Sequence, residues 1–313
     1  MKEFHQDTTI ENENLKDFFT LVYVLIDDLY NEHIPDEIKN RKNKETAIMS
    51  DSEIITITIV GELLTIDSEK AWHSFVSRNY QDLFPKMCER SRFNRIKRNL
   101  VSVIDELRNR LNTYISATNS QYRIVDSFPL PVCKFGRAHF NKSFKGYGAD
   151  YGYCPSKKET YYGYKVHVLC TLEGHVTDYA ITPASVDDRA AIYELIENYQ
   201  RPLTLLGDKG YIGDSLAAEL LSQYGVTLIA MKRDNSKNPY PKAFRQFIFK
   251  LRRRIETSIS QLCGQLSIEN VVAKSLWGLH TRIVGKLLAF NLCWFINSLL
   301  RHSLISNIKH LVY

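Results

Sequence analysis

Three acidic residues in this chain, Asp126, Asp208 and Glu256, sit where carboxylates can do chemistry. Asp126 follows the short β-branched run Arg123-Ile124-Val125, and Pro129 soon stops the extended segment. Asp208 closes a second apolar run, Leu203-Thr204-Leu205-Leu206, with Gly207 and Gly210 on either side leaving room for a sharp turn. An acid set at the end of an apolar strand is costly to ionise unless it is compensated, and a bound cation is one such partner. An aspartate accepting backbone hydrogen bonds where the strand turns is the other reading. Glu256 falls on a long helical pattern whose apolar face is Phe247, Ile248, Leu251, Ile255, Ile259 and Leu262. It lies at the edge of that face with Arg252 one turn back, which also fits an ordinary surface ion pair. Carboxylates brought together repel unless cations hold them. Oxygen-only ligands select magnesium or manganese over zinc, and two such ions roughly 4 Å apart clamp the attacking and leaving oxygens of an in-line phosphoryl displacement.

The elements that would position these acids follow from periodicity. Helical spacing covers 15–30 and ends before Pro35. Ser50-Asp51-Ser52-Glu53 is a capping box opening a helix to about Leu64, although the run Ile54–Val60 is rich enough in β-branched residues to make a strand possible. Ser68 starts a short helix through Arg78, and Ser91 a long one to about Ile115. Near residue 120 the pattern turns strand-like. Strands are expected at Tyr122–Asp126, Tyr162–Thr171, Val176–Thr182, Leu203–Gly207 and Val226–Met231. Helices are expected from the Ser185–Asp188 cap to Tyr199, from Asp214 to Tyr224 and from Ala243 to Leu266. The capping role accounts for Asp188, so Asp187 and Asp188 are set aside as site residues, and His167 reads as a structural strand histidine. The order β-β-β-α-β-α-β gives a mixed α/β sheet with helices on both faces, preceded by an all-α region. Expected boundaries are 1–118 for the helical region, 119–302 for the sheet domain and 303–313 for a tail.

Composition points to a polyanion partner. The 313 residues are 44% hydrophobic and 24% charged with a formal net charge of +6, and the length suits about two domains. The first forty residues are acid-rich, whereas Lys and Arg gather at 86–98, 134–165 and 232–254. In the stretch 129–160, read as a long irregular insertion, Lys134, Arg137, Lys142 and Lys145 interleave with Phe135, Phe140, Phe144, Tyr147, Tyr151 and Tyr153. That mixture can track a phosphate backbone and stack on unpaired bases, or be a solvated loop. Arg92, Arg95, Lys97 and Arg98 at a helix start suit a helix-turn-helix-like DNA reader or an ordinary basic face. The six cysteines show no C-x-x-C spacing, which argues against zinc and for reduced thiols inside a cell. The apolar stretch 287–300 is too short and too interrupted to span a membrane and reads as a core helix.

The motifs Ile124-Val125-Asp126-Ser127, Leu206-Gly207-Asp208-Lys209-Gly210-Tyr211 and Arg252-Arg253-Arg254-Ile255-Glu256 resemble those of the DDE transposases of bacterial insertion sequences over about 120–300. The family's wider motif has a tyrosine before the arginine and a lysine seven residues after the glutamate, where this chain has Phe249 and Cys263. The resemblance implies an RNase H-like, retroviral-integrase-type catalytic domain. It implies that Asp126, Asp208 and Glu256 hold two Mg2+ or Mn2+ ions for DNA cleavage and strand transfer, with Lys209, Arg252 and Arg253 contacting phosphates. The N-terminal helices would bind terminal inverted repeats, and two or more protomers would pair the ends in a bacterial cytoplasm. An RNase H-fold nuclease without strand transfer and an inactive transposase-derived DNA-binding protein are the alternatives.

Overall fold

The computed structural model describes residues 9–40, 46–115, 120–197, 199, 202–233, 235–236, 238–300, 306 and 308; the side chains of 9–14 are not included. The expected boundary at 118/119 and most of the 303–313 tail lie outside these residues.

Six helices come first: α1 (Thr9–His33), the single turn α2 (Asp36–Lys39), α3 (Asp51–Leu63), α4 (Glu69–Asn79), α5 (Arg90–Asn99) and α6 (Val101–Tyr114). The capping box at α3 forms as expected. Ser50 Oγ accepts from Glu53 N–H at 3.0 Å, and Glu53 Oε2 accepts from Ser50 N–H at 2.6 Å. The β-branched run is helical because α3 is enclosed by apolar neighbours along nearly its whole length, and tertiary burial overrides the local preference. The single long helix expected from Ser91 is two, broken at Leu100, and Ser91 is not its cap; its hydroxyl bonds Glu89 instead.

The sheet has six strands: β1 (Tyr122–Pro131), β2 (Asp150–Cys154), β3 (Glu159–Cys170), β4 (Val176–Pro183), β5 (Leu203–Gly207) and β6 (Val226–Ala230). Its order is β2-β3-β1-β5-β6, with β4 also on β3. β3 pairs antiparallel with β1, β2 and β4, whereas β5 runs parallel to both β1 and β6. Two expectations are corrected here. The insertion is not irregular throughout: it holds a 3-10 turn at Phe135–Phe140, the single turn α7 (Lys142–Lys145) and the extra strand β2. Nor does β1 stop at Asp126. It pairs with β5 only at Tyr122–Ile124 and continues on β3 alone as far as Pro131. Beyond Ile124 no ladder exists on the β5 side, so the N–H groups that Pro129 and Pro131 lack are not needed there.

Helices α8 (Ala191–Ile196) and α9 (Asp214–Tyr224) cover one face of the sheet, and α10 (Lys242–Gly264) and α11 (Leu276–Leu299) the other. α11 is buried along nearly its whole length and packs against α3 and α6, so the N-terminal helices and one sheet face share a continuous apolar core. α10 buries Ile248, Ile255, Ser258 and Leu262; Phe247, expected on that face, is exposed. Among the described residues no helix is long and apolar enough to cross a membrane.

Candidate active site

The divergence of β1 from β5 after Ile124 and Leu206 opens a notch in the sheet. Asp126 lies two residues beyond the last residue of β1 that pairs with β5, and Asp208 just beyond the end of β5. Ligand sites favour such positions, at strand carboxyl ends where neighbours part. Asp126 Oδ1 accepts from the Ser127 N–H at 2.9 Å. Asp208 caps the 3-10 turn Lys209–Tyr211, its Oδ1 accepting from Gly210 N–H at 2.7 Å. Gly210 is required by close approach: a Cβ there would fall 2.9 Å from Asp208 Oδ1.

Glu256 comes from α10 on the face covering Asp126. Arg252 stands between them, its Nη2 3.8 Å from Asp126 Oδ2 and 3.7 Å from Glu256 Oε1. Both distances are too long for hydrogen bonds, and the buried Nε of Arg252 has no partner. Charge rather than bonding geometry holds this guanidinium. Burial pushes the Asp126 carboxyl up to about 6; the Ser127 N–H opposes the shift, Asp208 adds to it, Arg252 opposes it and Asp188 adds to it. One loosely held cation is therefore shared by more negative charge than it neutralises.

Asp188 was hidden behind its apparent capping role, which the structure overturns. Helix α8 begins only at Ala191 and has no side-chain cap. Asp188 Oδ1 instead accepts from Lys165 Nζ at 2.6 Å. Asp187 is spent on Arg189, whose Nη2 lies 2.6 Å from it, and His167 is buried with Nε2 on the Thr182 hydroxyl at 2.9 Å. Asp214 opens α9 as its first residue, behind Gly213 at the cap position.

Beside Asp208 lies a cleft of about 690 Å³ lined by Lys209, Lys242, Arg245, Lys250, Arg252 and Arg253, with Phe249 among them. Lys242, Arg245 and Lys250 were visible in the sequence only as part of a basic run. Arg253 sits over the Phe249 ring at 5.2 Å. Cys263 is half-buried near the Lys157–Glu269 ion pair, its thiol pushed up to about 12 by burial and then by Glu269. In the insertion, Lys134, Arg137, Lys142 and Lys145 are all exposed, as are Phe135, Phe140, Tyr147, Tyr151 and Tyr153. The α5 group divides. Arg95 is exposed, Arg92 donates to the Thr46 carbonyl, and Arg98 donates to the Asn94 carbonyl and lies 5.7 Å from the Trp277 ring. Lys97 is buried on Glu69 and faces inward, so it is not presented to a partner.

Among the described residues no three His, Cys, Asp or Glu side chains are gathered tightly enough to hold a metal ion as they stand. The donor set nevertheless suits a hard divalent cation. It is all oxygen, it is under-compensated, and among the described residues Arg252 is the one ion-pair partner of Glu256, which is 52% exposed.

Strand-end carboxylates thus stand beside a basic cleft, on a mixed sheet with helices on its faces. The family model for the transposase DDE domain matches residues 116–276, just over half of the chain, and the chain belongs to that family. Domains of this family generally work with divalent metal ions. No curated protein matches the chain. Among solved structures, a piggyBac transposase synaptic complex with hairpin DNA aligns at 12% identity with a TM-score of 0.43, over 93% of this chain and 76% of that one.

Proposed function

We propose that the protein is the transposase of a bacterial insertion sequence, cleaving DNA at the element's ends and joining the freed 3′ ends to target DNA. The observation that carries this reading is the shared guanidinium. Arg252 draws Asp126 and Glu256 toward one point, Asp208 lies across the notch, and a cation-lined cleft begins beside it. The mixed sheet, with β1 between β3 and β5, supports reading the catalytic domain as RNase H-like.

Asp126, Asp208 and Glu256 would hold two Mg2+ ions, or Mn2+, whose chemistry when bound is to activate the attacking oxygen and stabilise the leaving one. The chain's own groups do the rest. Arg252, held without a hydrogen bond to either acid, turns to a DNA phosphate once those acids are otherwise compensated. Lys209 and Arg253 hold neighbouring phosphates along the cleft, with Lys242, Arg245 and Lys250. The exposed basic and aromatic side chains of the insertion, Lys134, Arg137, Lys142 and Lys145 among them, support contact with phosphates and unpaired bases. Residues 1–118 are the region we assign to the terminal inverted repeats, through Arg92, Arg95 and Arg98, and 119–302 to catalysis. Two protomers pair the ends in the bacterial cytoplasm.

The test uses purified protein, DNA carrying the inverted repeats that flank its gene, and Mg2+. Asp126→Asn, Asp208→Asn and Glu256→Gln should each abolish strand cleavage. Full cleavage by any one of them removes the assignment. Cleavage without joining to target DNA would instead identify a nuclease.

A further inference from the structure

Asp188 reaches the notch from the sheet face opposite α10, and Lys165 is the only cation that touches it among the described residues. His167 is close, its Nδ1 4.0 Å from Asp188 Oδ1, but the ring is fully buried and its Nε2 is taken by the Thr182 hydroxyl. Gly210 lies between Asp188 and Asp208. A Cβ built there would meet Asp208 Oδ1 at 2.9 Å and Asp188 Oδ2 at 3.7 Å, so the two carboxylates approach the same point of the turn. The charge of Asp188 also acts on Asp126.

A second, independent feature points to a ligand. Tyr211, 1% exposed, has a buried hydroxyl with no hydrogen-bond partner. Burial first, then the charges of Asp188, Asp126 and Asp208, keep it a neutral O–H. Tyr211 follows Gly210 directly and its ring packs on Gly207, so it belongs to the same turn as Asp208, and a buried hydroxyl left unpaired there is one that a water or a hydrated cation would satisfy.

We propose that Asp188 is a fourth carboxylate of this site, a positioning residue whose charge sets the site's affinity for a divalent cation, with Lys165 as the counter-ion that restrains it. The proposal rests on the metal-dependent reading above. Full-length protein is titrated with Mn2+ alone and bound ion is followed by electron paramagnetic resonance, with thermal unfolding run on every variant. Removing one unit of negative charge this near a divalent ion is worth about tenfold. Asp188→Asn should therefore weaken Mn2+ binding about tenfold. Lys165→Met should strengthen it by a similar factor, and Asp187→Asn should leave it unchanged. A pair that merely braces the fold would move both variants in the same direction, and that result overturns the proposal, as does unaltered binding in Asp188→Asn. Wild-type protein that takes up no Mn2+ overturns the metal-dependent reading itself, and this proposal with it.

Discussion

Two carboxylates removed from bulk water, Glu62 and Asp126, show opposite treatments of the same charge. Glu62 on α3 is buried between two cations of α11: Arg282 Nε lies 2.6 Å from Oε1 and Lys286 Nζ 2.7 Å from Oε2. Burial would push its carboxyl up, but Lys286 and Arg282 outweigh burial and hold it below the usual range. Lys286 is completed by the Leu266 carbonyl at 2.6 Å and Arg282 by the Asp67 carbonyl at 3.2 Å. Asp126 has one guanidinium at 3.8 Å, shared with Glu256, and further acids close by. The first acid locks α3 to α11; the second is left in deficit. Unmet charge in a cleft makes Asp126 a candidate site residue, whereas met charge in a core ties two helices together.

The largest expected effect is on the balanced site. Glu62→Gln leaves two cations buried without their anion and should remove about 3–5 kcal/mol of stability in a denaturant titration. The matching change at the other site should have the opposite sign. An unfolded aspartate titrates near 3.9, while Asp126 in the folded chain titrates at about 6. Between those values the folded state binds more protons, so its stability falls as pH rises from 4 through 6. Asp126→Asn removes that penalty. It should be more stable than wild type by up to about 3 kcal/mol at pH 8, and equal to it below pH 4, while losing cleavage. Equal stability at both pH values would break the contrast between the two acids.

Gly210→Ala sharpens it further. The added methyl collides with the Asp208 carboxylate rather than with backbone, so cleavage should fall about a hundredfold, as expected of a misplacement near 1 Å, with little change in unfolding midpoint. The smallest effect is at the α3 cap. Ser50→Ala should cost about 1 kcal/mol of stability and leave cleavage per folded molecule unchanged.

What was legible in the sequence was what local chemistry decides. The α3 capping box closes within four residues, and Asp208 is framed by its own glycines. The three acids could be named as candidates because Asp126 and Asp208 follow apolar runs, Glu256 edges the apolar face of a long helical pattern, and the motifs around them resemble a known family. Strand β2 escaped notice because its Asp150-Tyr151-Gly152-Tyr153-Cys154 has no apolar alternation, four of its five residues being exposed or half-buried. Asp188 was misread because Ser185-Val186-Asp187-Asp188 imitates a cap, while the lysine that holds it is 23 residues away on another strand. Lys97 was taken for a surface cation because nothing local reveals Glu69, 28 residues back. Pairings over such distances are fixed by the fold and leave no trace in spacing.

The burial of α11 between the early helices and the sheet has a consequence for how such a gene decays. A copy that lost its 5′ portion would encode a sheet whose longest apolar helix is stripped of its partners α3, α5 and α6. Such a fragment is expected to aggregate on expression, through the apolar face so exposed.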